Sequence, residues 1–160
     1  MGKNAVHDAA AAGLMPPGLP APGAPVKSIY ESSYIEALKH KWIASEEAGR
    51  DLGDTAISQW LQHHWKGWCR ERWIEHLTGQ VCWAEFERSE FGALKRDFKG
   101  DPGTLDAVLD RIRHGGENLD IILWASEKRL DVRQVIDILV IADINRPVLN
   151  RSRLLADHIA

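Results

Sequence analysis

The residues best able to do chemistry are concentrated in the stretch 59–76, which reads QWLQHHWKGWCRERWIEH and holds four of the protein's seven tryptophans. At about 100° per residue on a helix, Ile57, Trp60, Leu61, Trp65 and Trp68 share one broad face, beside which His64, Trp68, Arg72 and His76 form a strict i, i+4 ladder. Glu71 and Glu75 fall on or next to the same face. The pattern therefore directs polar groups towards an apolar environment, where a charge must be paired. Three chemistries fit such a stripe. The first is a buried ion-pair and hydrogen-bond network, in which Arg72 and the histidines meet carboxylates of the preceding helix such as Glu46, Glu47 or Asp51. The second is an interface, since Trp and Arg are the types most enriched at binding hot spots; His64, Trp65, Trp68, Arg72, Glu75 and His76 would then face a protein partner. The third is a carboxylate-histidine metal centre of an enzyme, fed by further acids at Glu85, Glu87 and Glu90. The Glu-x-x-His spacing of di-iron bundles is absent, because Glu75 and His76 are adjacent and diverge by about a quarter turn. The sequence thus assigns no metal ligand, no catalytic residue and no cofactor.

A second informative stretch is the C-terminus. An apolar helix, a tight turn at Asp143-Ile144-Asn145 and a following segment with Asn150, Arg151 and Arg153 resembles a helix-turn-helix over about twenty residues, with Ala142, Ile144 and Leu149 at the internal packing positions. The resemblance implies DNA contacts from Asn145, Arg146, Asn150, Arg151 and Arg153, and packing of Val148, Leu149 and Leu155 against Ile136, Leu139 and Val140. Asp143 stands where Gly is usual, Leu139 where Ala is usual, and Pro147 occupies the first turn of the would-be recognition helix. Residues 131–160 carry four Asp and four Arg, so the segment lacks the positive field of a DNA-binding module. Pairing of Asp137, Asp143 and Asp157 with these arginines is the expectation. A protein partner is accordingly expected ahead of nucleic acid.

The elements that must position these residues are helical throughout. Tyr30, Tyr34, Leu38 and Trp42 recur every four residues with Ile35 and Ile43 alongside, predicting a helix capped by Ser28 and running to about Arg50. Gly53 is expected to supply a left-handed exit and Asp54 or Thr55 the next cap, with the second helix closing at Thr78-Gly79. Residues 80–98 read as irregular chain, with Ser89 capping a short helix that bears Phe91, Leu94 and Phe98. After the break at Lys99-Gly-Asp-Pro-Gly, Leu105, Val108, Leu109 and Ile112 mark a helix stopped by Gly115-Gly116. Asn118 is the expected cap of the next, carrying Ile121, Ile122 and Trp124. A third starts at Asp131 with Gln134 in capping-box position, and its apolar run from Val132 to Ile144 predicts a central place; Pro147 then opens the last helix. No strand alternation is sustained. The predicted fold is an all-α, single-domain bundle of about five to seven helices.

Composition sets the outer limits. A chain of 160 residues that is 44% hydrophobic and 27% charged has room for one sizeable core. Five of the seven prolines precede Lys27, so residues 1–27 are predicted to be a flexible Pro/Ala/Gly-rich tail, ahead of a helical domain over 28–160 with a Trp-rich half (28–98) and a C-terminal half (101–160). A net charge of −3 excludes a protein that is cationic overall and binds phosphate non-specifically. Cys69 and Cys82 show no zinc-ligand spacing and read as small buried hydrophobes in a reducing cytoplasm. No run reaches the ~18 apolar residues needed to span a bilayer, and the Ala-rich start is broken by His7 and Asp8, unlike a signal peptide. Phosphate-cradling loops, GxSxG and HExxH are all missing. These readings converge on a cytoplasmic, non-enzymatic interaction or regulatory module, with a DNA binder using a hairpin over 132–159 as the alternative and a metal enzyme third.

Overall fold

The computed structural model describes residues 25–146 and residue 149. Its fold is all-α. Two long helices, α1 (Ile29–Ala48) and α2 (Asp54–Leu77), form a hairpin; α3 (Ala93–Asp97), α4 (Pro102–Arg113), α5 (Asn118–Glu127) and α6 (Val132–Ala142) gather around the far end of α2. Between α2 and α3 lies the segment expected to be irregular. It holds a single turn of 3-10 helix, Arg88–Glu90, and a two-residue strand β2 (Cys82–Trp83), which pairs in parallel with β1 (Val26–Lys27). Strand β1 therefore falls inside the segment assigned to the tail; residues 1–24 lie outside the described residues.

The caps explain the boundaries. Ser28 starts α1 as expected, its hydroxyl accepting the Glu31 N–H at 3.5 Å. A carboxylate from 57 positions away reinforces it: Glu85 accepts the Ser28 hydroxyl at 2.6 Å and the Ile29 N–H at 2.9 Å, placing negative charge on the positive end of the helix dipole. The left-handed exit falls to Gly49 (φ 67°) rather than Gly53, because α1 ends at Ala48, two residues short of Arg50, and the first glycine past its last turn takes the αL conformation. Gly53 instead caps α2, and Asp54 is already helical. Ser89 lies within the 3-10 turn and Gly92 precedes α3. Glu117, not Asn118, caps α5, its N–H received by the Asp120 carboxylate at 3.4 Å. Asp131 caps α6 as predicted, accepting the Arg133 and Gln134 N–H groups.

Burial divides along α2 into two apolar clusters. One joins Tyr30 and Ala37 of α1 to Trp60, Leu61 and Trp65 of α2; the other joins Trp73 and Leu77 to the inner faces of α3 to α6, and Phe86 packs against both. Helix α6 buries Val135, Ile138, Leu139 and Ala142 but exposes Ile136 and Val140, so it is amphipathic and not central on every side as its apolar run suggests. The last helix, expected from Pro147, lies outside the described residues.

Helix α1 departs most from its sequence pattern. Its buried face, beyond Ile29 and Tyr30 at the start, consists of the small residues Ser33 and Ala37. Its bulky residues point away: Ile35 is 54% exposed, Leu38 39%, Trp42 68% and Ile43 51%. The reason is helical geometry. Four residues advance 400°, so a strict i, i+4 repeat drifts by about 40° per step. Three steps from Tyr30 to Trp42 turn the ladder by about 120°, from the core to solvent.

Candidate functional site

The same drift sorts the polar ladder of α2 from solvent to core. His64 is exposed, Trp68 and Arg72 are half-buried, and His76 is fully buried. Each residue therefore has a different environment, and the stripe does not form one continuous surface.

His76 holds the loop that follows α2. Its Nδ1 accepts the backbone N–H of Trp83 at 3.1 Å, and its Nε2–H donates to the Glu87 carbonyl at 2.8 Å. One acceptor and one donor fix the neutral tautomer. The ring stacks on Trp73 at 6.2 Å and meets the edges of Phe86 and Phe91. Burial pulls its pKa below the ordinary histidine value, against the Glu87 carbonyl and the Glu90 charge, which favour the proton. With both nitrogens committed to backbone, His76 is a structural residue.

Arg72 is paired, but within its own helix. Its guanidinium lies 4.1 Å from the Trp68 ring centroid and 5.7 Å from that of Trp83, with Nε 2.9 Å from Glu75 and a terminal nitrogen 3.2 Å from Glu71. The Nε–H is not aligned on the Glu75 oxygen, so this contact is an ion pair without a directed hydrogen bond. The same Glu75 oxygen accepts the Trp83 indole N–H at 3.0 Å. The expected partners Glu46, Glu47 and Asp51 sit at the hairpin turn. Arg72 is about 27 Å further along α2 from Asp54 at 1.5 Å per residue, and Asp51 contacts Lys41 instead.

The tryptophans act as pins. Trp65 donates its indole N–H to the Leu149 carbonyl at 2.9 Å, and Trp73 donates to the Ala142 carbonyl at 2.6 Å. Trp65, Arg72, Glu75 and His76 thus hold the fold together, whereas His64 and Trp68 line a cleft of about 570 Å³. Trp60, Gly67, Arg70 and Glu71 of α2 also border it, as do Glu36 of α1 and Ile112 and Arg113 of α4. Sequence spacing did not single out Gly67, Arg70 or Arg113, because the cleft exists only once α4 closes against α2.

Of the C-terminal arginines, Arg146 lies among the described residues. Arg146 bonds to Glu90 at 2.8 Å and lies 5.4 Å from the Trp73 ring, so its partner is not one of the aspartates proposed for it. Asn145 is exposed, and Asn150, Arg151 and Arg153 lie outside the described residues. Leu149 packs on the cluster of α1 and the first part of α2, not on Ile136 and Val140, which stay exposed. Ala142 and Ile144 are buried, and Val148 and Leu155 lie outside the described residues.

Among the described residues, no group of three His, Cys, Asp or Glu side chains is placed to hold a metal ion. Glu85 is committed to the start of α1 and Glu90 to Arg146. Cys69 and Cys82 are buried and unpaired; burial pushes the Cys69 thiol up to about 12 and raises Cys82 as well, so neither is a thiolate at neutral pH. No described helix is long and apolar enough to cross a membrane. No protein-family model, no curated protein and no solved structure matches the chain.

Proposed function

We propose that this protein is a non-enzymatic protein-protein interaction module, regulatory in character, whose contact surface is the outer face of α1. The observation that carries the reading is the inversion of that helix: Ser33 and Ala37 face the core while Ile35, Leu38, Trp42 and Ile43 face solvent. Burying a large apolar side chain is worth about 1.5 to 3 kcal/mol, so a helix that leaves four of them outside gains most when a second surface covers them. Trp42 is central to that stripe and belongs to the residue type most enriched at hot spots. Lys39 and Glu46 flank it, as polar groups do at an interface rim. Two unpaired buried thiols support a reducing, cytoplasmic setting.

Gel filtration of extract from the native cell tests this reading. The wild-type protein should elute within a complex heavier than one chain, and Trp42→Asp should elute as a monomer with an unchanged melting temperature. A wild-type protein that elutes as a monomer, or a Trp42→Asp variant that stays in the complex, contradicts the assignment of this surface.

A further inference from the structure

The cleft beside His64 and Trp68 shares no residue with the outer face of α1 and carries a separate conclusion. Gly67 sits in the middle of the 24-residue helix α2, where glycine costs about 1 kcal/mol relative to alanine. Neither packing nor backbone conformation requires it, since an added Cβ would meet nothing within 4 Å and its φ is not positive. What a glycine supplies here is a bare stretch of helix surface at the cleft, against which a flat group can lie. The indoles of Trp60 and Trp68, edge to face at 5.6 Å, border the cleft with Ile74 and Ile112.

An inventory of its polar groups gives the charge of the occupant. Glu36 is engaged by Lys39 at 2.7 Å, Glu71 by Arg72 at 3.2 Å, and Arg70 reaches Glu117 at 3.5 Å. Arg113 has no carboxylate partner among the described residues. The indole N–H of Trp68 and the Nε–H of Arg70, from two residues that border the cleft, are buried without an acceptor among the described residues. His63 donates its Nδ1–H to the Gln59 carbonyl at 2.7 Å. The groups left over are donors, the exposed His64 ring and the guanidinium of Arg113. We infer that the cleft binds a small organic anion with a flat apolar body, an aromatic carboxylate or phosphate monoester, its ring over Gly67 and against the indoles and its anionic group towards Arg113. The volume of about 570 Å³ suits such a molecule.

The test is a titration of the full chain, ¹⁵N-labelled, with 1-naphthylacetate, 1-naphthyl phosphate, neutral 1-naphthylacetamide and inorganic phosphate, read at the seven indole N–H signals. The expected result is a saturable shift confined to Trp60 and Trp68 with at least one naphthyl anion, and binding roughly tenfold weaker or worse for the amide. Whichever naphthyl anion binds tighter identifies carboxylate or phosphate as the preferred group. Arg113→Glu should weaken binding by roughly tenfold. Gly67→Leu should abolish it, and Gly67→Ala should weaken it while raising the melting temperature, which keeps the test valid where the leucine variant does not fold. The inference is overturned by the absence of any saturable shift, by equal binding of the amide, by inorganic phosphate binding as tightly as the naphthyl anions, or by Gly67→Ala binding as well as wild type.

Discussion

His76 is neutral because burial makes its charged form costly and because both ring nitrogens already serve backbone groups. Its pKa in the folded protein lies below the unfolded value, so below about pH 6.5 the unfolded chain takes up a proton that the folded one resists. The stability associated with this residue is complete above the unfolded value, declines as pH falls from there towards the folded pKa, and then levels off. Urea midpoints measured from pH 8 down to pH 5 should show that decline, and His76→Gln should flatten it while lowering stability at pH 8 by about 2 kcal/mol, the cost of unpaired buried backbone groups. A variant with the wild-type pH profile would show that His76 is not the titrating group. At this scale the sequence offered a buried, paired network on α2 as one of three readings, with carboxylates of α1 as the expected partners. The pairing of Arg72 with Glu71 and Glu75, and of His76 with Trp83 and Glu87, depends on how the chain turns after Thr78, which side-chain spacing does not encode.

Local caps made most helix boundaries legible to within one or two residues. Ser28 and Asp131 cap as their types predict, and Leu77 closes α2 where Thr78-Gly79 implies. Facing was less legible, since an i, i+4 repeat names a stripe that winds around the helix and leaves open which part of it packs. Tyr30 and Trp42 belong to one such repeat and lie on opposite sides of the boundary between core and solvent. The contrast has a direct consequence for stability. Trp42→Ala should change it by no more than about 0.5 kcal/mol, as for an exposed residue, whereas Trp73→Ala, which empties a site in the second cluster, should cost about 3 to 5 kcal/mol. Chemical denaturation of the two variants side by side measures the difference, and a Trp42→Ala loss comparable to that of Trp73→Ala would place α1 the other way round.

The molecule as a whole is closed by contacts between residues far apart in sequence. Glu85 holds the start of α1, Trp65 takes the Leu149 carbonyl, Trp73 takes that of Ala142, and Arg146 crosses to Glu90. None of these has a sequence signature, which is why the all-α class and most of the helices could be read in advance while these long-range contacts and the cleft at Gly67 could not. Among the described residues, the large apolar side chains that the long hairpin leaves exposed are Ile35, Leu38, Trp42 and Ile43 on the outer side of α1, the surface proposed above for a partner. The most direct test is site-specific photo-cross-linking in the native cell, with a benzophenone amino acid at position 42 and, as control, at the exposed Ser58 of α2. An interaction module of this design gives one discrete adduct from position 42 and none from position 58; no adduct at position 42, or the same products from both positions, would contradict it.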